Sequence, residues 1–304
     1  MKTYRDRKRR VLGQHFLKSP GVLKKIVEVV APAPDELVLE IGPGKGALTY
    51  LLAERAGRVV AVEKDPEMLP ILLEAAVPNL IVLEGDILDC DFADLLAKYG
   101  SSFRAAVLAG NLPYSISTPL LFKVLEEKAA FDRCVFLVQK EVAERICSSP
   151  GSKAYAPLGI LLQIRYVAAI RFAVHPGSFS PPPRVESAVV SLERRAAPLI
   201  PIVDERRFAE FLRAAFRQRR KTLENNLLAS GKPAAAIGRA CESAGLSLRV
   251  RPEDVPIAGF AALFASLARD LRREQVRAEP DPQAKPGAPA AALTAGGHSE
   301  KIRP

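Results

Sequence analysis

Four consecutive residues, Asn111-Leu112-Pro113-Tyr114, follow a run with the character of a buried strand, Ala105-Ala106-Val107-Leu108-Ala109-Gly110. They also lie downstream of a glycine-rich segment, Gly42-Pro43-Gly44-Lys45-Gly46. An amide, a carbonyl set by the fixed dihedral of the next proline, and a flat ring suit one chemical task, which is to hold an exocyclic amine. The amino nitrogen of adenine is a poor nucleophile because its lone pair is delocalised into the ring. Acceptors on its hydrogens localise that pair toward an electrophilic carbon. Asn111 offers a side-chain carbonyl and Leu112 a backbone one, with Pro113 fixing the geometry. Tyr114 offers a face on which a base can stack. Together with the glycine segment, these residues point to methylation of such an amine. The competing reading is a plain strand-ending turn, for which Asn and Pro are ordinary residues.

The stretch from Leu37 to Leu48 reads as strand, glycine loop and helix, and glycines there let the backbone approach a ligand closely. Gly42, Gly44 and Ala47 also satisfy the dinucleotide fingerprint, in which a helix start meets a pyrophosphate. A lone match of that kind does not identify a cofactor. Neighbouring residues favour S-adenosylmethionine. Glu40 can orient an ammonium, which an anionic pyrophosphate would not reward, and Pro43 with Gly46 makes the pattern E-x-G-x-G. Asp86, after a third strand, can accept from an adenine amino group. Glu63, ending a second strand, can accept from both ribose hydroxyls and serves either cofactor. Each acid alone could be a loop cap or a solvated carboxylate. Their placement at successive strand ends argues for a ligand, since open α/β sheets bind ligands at the carboxyl edge.

The elements that must hold these residues are legible as alternation. Short β-rich runs at 37–41, 58–63, 80–84, 104–109 and 133–138 interleave with helical patterns, the mark of βαβ units and a mainly parallel sheet. Two further runs, 165–173 and 187–193, are joined by the segment Ser180-Pro181-Pro182-Pro183 and suit a hairpin at the sheet edge. After Ala196-Ala197-Pro198 the pattern becomes purely helical. Phe208, Phe211, Leu212, Ala215 and Phe216 fall on one helix face, and Ile257, Phe260, Leu263, Phe264, Leu267 and Leu271 on another. Both stripes read as packing. From Ala278 onward Ala, Pro and Gly dominate without an apolar period, which predicts disorder.

The 304 residues suffice for two domains, and the formal charge of +10 suits a polyanionic partner, since Lys and Arg that neutralise phosphates release counterions. Cys90, Cys134, Cys147 and Cys241 form no C-x-x-C pair, and His15, His175 and His298 are widely spaced, so neither a metal nor a disulfide framework is expected. The basic N-terminus, from Lys2 to Arg10, leads into no apolar segment, and Gln163 and Arg165 break the best apolar run. A cytoplasmic protein with no membrane span is the expectation, and no obvious dimerisation segment argues against a monomer.

With these residues placed, the chain resembles the KsgA-type ribosomal RNA adenine N6-dimethyltransferases from Gly13 to about Leu271. The resemblance rests on Gly13-Gln14-His15-Phe16-Leu17, the loop from Glu40 to Gly46, Glu63, Asp86 and Asn111-Leu112-Pro113-Tyr114-Ser115-Ile116-Ser117-Thr118-Pro119. It rests most specifically on Phe179-Ser180-Pro181-Pro182-Pro183-Arg184-Val185-Glu186-Ser187 and Phe216-Arg217-Gln218-Arg219-Arg220-Lys221-Thr222-Leu223.

The resemblance implies an α/β fold: a Rossmann-like S-adenosylmethionine-dependent methyltransferase sheet, mostly parallel with seven strands, and a small C-terminal all-helical domain. Residues 1–197 would form the catalytic domain with a basic arm, 198–273 a helical RNA-binding domain, and 274–304 a disordered tail. It implies transfer of two methyl groups to each of two neighbouring adenosines in a hairpin loop near the 3′ end of small-subunit RNA, within an immature 30S-type subunit. Asn111, Leu112 and Pro113 would present the acceptors, and Tyr114 and Phe179 would sandwich an extruded base. His15, Leu17, Glu40, Gly42, Gly44, Gly46, Glu63, Asp86 and Asn111 would line the cofactor site. Arg217, Arg219, Arg220 and Lys221 would contact phosphate. His15 stands where the family usually has Asn, so one hydrogen-bond donor is kept and a titratable ring is added. The expected chemistry is in-line displacement without a strong general base. The alternatives are a methyltransferase for large-subunit RNA or DNA adenine, a ribosome-assembly binding factor, and, more remotely, a nicotinamide oxidoreductase.

Overall fold

The computed structural model describes residues 15–127 and 131–278. Gly13, Gln14, the basic run from Lys2 to Arg10 and the tail beyond Ala278 lie outside the described residues. The chain opens with β1 (Phe16–Leu17) and α1 (Pro20–Val30). Alternation follows: β2 (Glu36–Ile41), α2 (Thr49–Ala53), β3 (Arg58–Glu63), α3 (Leu69–Glu74), β4 (Leu80–Glu84), α4 (Phe92–Gly100), β5 (Ala105–Asn111), α5 (Ser117–Glu126) and β6 (Arg133–Gln139). Two helices, α6 (Lys140–Cys147) and α7 (Pro157–Arg165), precede β7 (Tyr166–Val174), β8 (Phe179–Ser180) and β9 (Ser187–Arg194). The rest is helical: α8 (Glu205–Ala215), α9 (Leu223–Ala229), α10 (Ala234–Ser243) and α11 (Ile257–Ala278).

Seven strands form one sheet in the order β4-β3-β2-β5-β6-β9-β7. The first five are mutually parallel, and β9 runs antiparallel to both β6 and β7. The expected edge hairpin is therefore present. β2 is buried along its whole length, as a strand covered on both faces must be. Period-two alternation sends Leu37, Leu39 and Ile41 into the core on one face, with Val60, Val62 and Leu108. Val38 points to the other face, with Val59, Val107 and residues of α1 and α2. Glu36 and Glu40 share the face of Val38. The strand order reverses between β2 and β5, and that switch point opens a crevice beyond the carboxyl ends of the strands.

A third cluster holds the helical part: Phe208, Phe211, Leu212, Leu223, Leu227, Ile237, Phe260, Leu263 and Leu267. Helix starts there carry side-chain caps, Asp204 accepting from the Arg207 amide and Thr222 from the Asn225 amide. Tyr155, Ile160 and Ile164 belong to the same cluster. The helical core thus also draws on side chains from before residue 198, while the opposite face of α7 serves the sheet. α11 also runs to Ala278, past the expected limit of 273.

Missing from the expectations is a second, two-stranded ladder, β1 with β8, pairing Phe16 with Ser180 and Leu17 with Phe179. The Lys18 amide extends it with a bond to the Ser178 carbonyl at 2.8 Å. This ladder straps the chain's first described residues across the crevice.

Candidate functional site

The crevice holds a cavity of about 300 Å³ adjoining a smaller one of about 130 Å³. His15, Leu17, Glu40, Gly42, Gly44, Glu63, Asn111, Leu112, Pro113 and Tyr114 line the larger. Asp86 lines the smaller, together with Ile87, and Gly42, Glu63 and Pro113 border both. Five segments far apart in sequence meet here because each follows, or crosses, the carboxyl edge of the sheet.

The glycine loop leaves β2 with Gly42, Gly44 and Gly46 all at positive φ, 61°, 57° and 82°. At Gly44 a Cβ would stand 2.9 Å from the Phe16 ring, and at Gly46 2.5 Å from the ring of Tyr50. Left-handed backbone and close aromatic packing together exclude a side chain at both places. Glu63 holds the loop from the next strand: its Oε2 accepts from the Gly44 amide at 2.9 Å and its Oε1 from the Asp65 amide at 2.7 Å. Burial raises the Glu63 pKa, and these two amides oppose the rise. Gly46 serves the turn and its packing and is not among the residues lining the cavity.

Glu40 differs. Its side chain is buried, and among the described residues neither its Oε2 nor the buried Thr49 hydroxyl beside it has a hydrogen-bond partner. Burial pushes its carboxyl up to about 8; the nearby Thr49 hydroxyl opposes this and the Glu63 charge adds to it. Two carboxylates at one cavity suit a cationic ligand and disfavour a pyrophosphate. That donor set, with a loop open to close approach, fits S-adenosylmethionine.

Asp86 caps its own turn through the Leu88 amide at 3.0 Å and pairs with Lys64 at 2.6 Å. Lys64 escaped sequence reasoning. The parallel register Glu63 to Glu84 sets the residues after each strand side by side, a signal available only once strand pairing is known.

The acceptor motif closes β5. The Leu112 amide bonds to the Leu137 carbonyl at 3.1 Å, which fixes the turn, and Asn111 Nδ2 donates to the His15 carbonyl at 2.9 Å. With its amino group engaged, the Asn111 amide has its orientation set. None of the described residues donates to Asn111 Oδ1 or to the Leu112 carbonyl. Tyr114 is anchored by its hydroxyl, 2.8 Å from Ser187 Oγ, a buried partner at the start of β9. The motif is therefore more than a strand-ending turn, since it presents two unclaimed acceptors and an anchored ring to one cavity.

Phe179 is buried in the packing of the strap. The expectation puts it across a base from Tyr114, but its ring is 1% exposed and packs with Leu17, Val174 and Val189. It is not among the residues lining the cavity. Its place on β8 zips it against β1, and burying a phenylalanine is worth roughly 1.5–3 kcal/mol. The ring next to Tyr114 is His15, at 5.5 Å and 31°. His15 Nδ1 lies 2.8 Å from the Pro181 carbonyl, so that nitrogen carries the hydrogen. Phe16 adds a further unforeseen contact, covered by the Lys45 amine at 5.6 Å from its centroid.

Arg217, Arg219, Arg220 and Lys221 sit together on the exposed turn between α8 and α9, away from the cavity. Arg219 is engaged by the Lys153 carbonyl and by Glu253 at 3.4 Å, while the other three form no ion pair among the described residues. All four cysteines are free thiols, and no group among the described residues could hold a metal ion. No described helix is long and apolar enough to cross a membrane.

Comparison with known proteins places the arrangement. A protein from Geobacter sulfurreducens named ribosomal RNA small subunit methyltransferase A is 42% identical over 86% of this chain and 95% of its own length. A solved dimethyladenosine transferase from Plasmodium falciparum superposes with a TM-score of 0.69 at 27% identity, covering 84% of this chain and 98% of that one. The 23S rRNA methyltransferase ErmE gives 0.64 at 26%, over 83% and 99%. Residues 5–268 match the model of the ribosomal RNA adenine dimethylase family, and the chain belongs to that family.

Proposed function

We propose that the protein transfers methyl groups from S-adenosylmethionine to the N6 amines of two adjacent adenosines in the 3′-terminal hairpin loop of small-subunit RNA, giving N6,N6-dimethyladenosine. The observation that carries this reading is the pair of unclaimed acceptors, Asn111 Oδ1 and the Leu112 carbonyl, beside Tyr114 in the cavity of the glycine loop.

When bound, S-adenosylmethionine supplies a methyl group made electrophilic by a sulfonium. Asp86 and Ile87 would receive the adenine end in the smaller cavity, Glu63 the ribose, and Glu40 with Leu17 the amino-acid end. Asn111 and Leu112 accept the hydrogens of the incoming amine and hold the positive charge that develops on it, so the side chains need supply no strong base. Tyr114, fixed by Ser187, gives the swung-out base a platform. The strap from His15 to Lys18 covers the cavity and sets the Asn111 amide, which favours orientation as the main source of acceleration.

A relative named for the small subunit is 42% identical, against 26% for the solved large-subunit enzyme, which supports the small-subunit substrate. The exposed Arg217, Arg220 and Lys221 support phosphate contact by the helical domain, 198–273, alongside a catalytic domain, 1–197. We place the enzyme in the cytoplasm, acting as a monomer on an immature 30S-type subunit. Incubation with labelled S-adenosylmethionine and immature small subunits should yield dimethyladenosine on nucleoside analysis. Label confined to large-subunit RNA, or no label in either, overturns the proposal.

A further inference from the structure

Among the described residues Glu40 is the buried acid left with an orphan oxygen: Glu36 and Glu63 are held by cations or amides. The groups around it do not supply a counter-charge. Glu63 faces it from β3 with a negative charge of its own, and Tyr50 lies within electrostatic reach on α2. Thr49 offers an unbonded hydroxyl that does not titrate in this range. Lys18, Lys45 and His15 line the same cavity, but none of the three is among the groups that act on Glu40, Lys45 being turned over Phe16 and His15 bonded to Pro181. An acid so placed keeps its proton until a cation arrives.

The layout of the two cavities says which cation. If the cofactor's adenine sits by Asp86 and its ribose by Glu63, which borders both cavities, the amino-acid end must extend into the larger one, where Glu40 faces it. This step rests on the proposed function. We propose that Glu40 is protonated in the ligand-free protein and gives its proton to solvent when the ammonium of the cofactor's amino-acid end docks beside it. The carboxyl O–H bond breaks, its electron pair stays on oxygen, and the carboxylate pairs with the ammonium. The demethylated product, S-adenosylhomocysteine, has the same amino-acid end and ejects the same proton. Uptake of cofactor and retention of product then both weaken toward acid, about ten-fold per pH unit. The trend levels off near pH 8, where Glu40 ionises unaided and the ligand's own amine loses its proton.

Isothermal titration calorimetry of the full-length protein at about pH 6.5, with the ligand amine still cationic, tests this directly. S-adenosylmethionine and S-adenosylhomocysteine are each titrated in buffers of low and high ionisation enthalpy. Wild type should release close to one proton per site with either ligand, and Glu40→Gln should release none and bind with a flat pH profile. Infrared difference spectra of wild type should lose a protonated-carboxyl band on ligand addition, a readout independent of how the variant folds. Heats that do not depend on buffer, an infrared band that persists, or equal proton release from Glu40→Gln overturn the inference. Binding without proton release leaves the methyltransferase reading standing, whereas failure of both ligands to bind overturns that reading as well.

Discussion

Glu36 and Glu40 lie four residues apart on the same face of β2, and each is 2% exposed, yet they stand in opposite situations. At the amino end of the strand Glu36 is saturated. Arg133 reaches it at 2.5 Å and 3.2 Å, Arg104 at 3.2 Å, and the Ala33 amide at 3.1 Å. At the carboxyl end Glu40 has an oxygen with no hydrogen-bond partner among the described residues. Residue type, strand and depth are the same, so the difference comes from the surroundings. One end of the sheet is closed on itself for stability; the other leaves polar atoms unpaired for a ligand to satisfy.

The sharpest way to break that contrast is at the closed end. Arg133 also clamps the end of α1 through the carbonyls of Val30 and Ala31, so Arg133→Met leaves the buried Glu36 with only the exposed Arg104 and the Ala33 amide, and frees a helix terminus. Loss of one partner of a buried pair should cost about 3–5 kcal/mol in urea unfolding. A cost under about 1 kcal/mol would mean that the amino end is no more committed to stability than the carboxyl end.

The open end is tested next by Asn111→Ala. Removal of one preorganised acceptor should lower kcat about a hundred-fold or more, near 2.7 kcal/mol, while calorimetry still shows cofactor binding and the unfolding midpoint moves little. Wild-type turnover in a folded variant would sink the acceptor role. A large loss of stability instead would show the carboxyl end to be structural too.

How much of this contrast could be read before folding depends on range. All seven sheet strands were legible, the five inner ones because burial writes itself as local apolar runs such as Val59 to Val62, and the half-buried edge strands β4 and β7 from their β-rich composition. The glycine loop was legible because positive φ selects a residue type. Glu40, Glu63, Asp86 and Asn111 were legible because strand ends are local and the carboxyl edge is common to all of them. Pairings across the edge were not. Nothing local tells Lys64 to seek Asp86, Ser187 to hold Tyr114, or β8 to zip onto β1 and bury Phe179. That Tyr155, Ile160 and Ile164 join the helical core was illegible for a related reason, since the face of a helix that meets a distant core is decided by packing.

A smaller effect sharpens the contrast through pH. The folded-state pKa of Glu40, about 8, lies above its ordinary value of 4.5, so between those values the native state binds more protons than the unfolded state. Stability of the ligand-free protein should therefore fall as pH rises through this window, by at most about 1.4 kcal/mol per pH unit from this group. Glu40→Gln should remove that slope and be no less stable than wild type near neutral pH. If the slope survives in the variant, Glu40 is not the group that keeps its proton.

The smallest expected effects come from the basic turn, where engaged and unengaged charges again lie side by side. Arg219 is held by Lys153 and Glu253, whereas Arg217, Arg220 and Lys221 project into solvent without an ion pair among the described residues. Because Arg219 and Glu253 are partly exposed, screening limits their pair to under about 1 kcal/mol. Arg219→Ala should accordingly show a slight loss of thermal stability. Arg217→Ala and Arg220→Ala should leave stability unchanged and make the slope of log affinity for RNA against log salt shallower by about 0.7–0.9 for each phosphate no longer neutralised. A slope unaltered by both changes would reduce the turn to a solvated surface. A slope altered by Arg219→Ala alone would invert the assignment, because it would mean that RNA binding selects the arginine already fixed in place and ignores those left free.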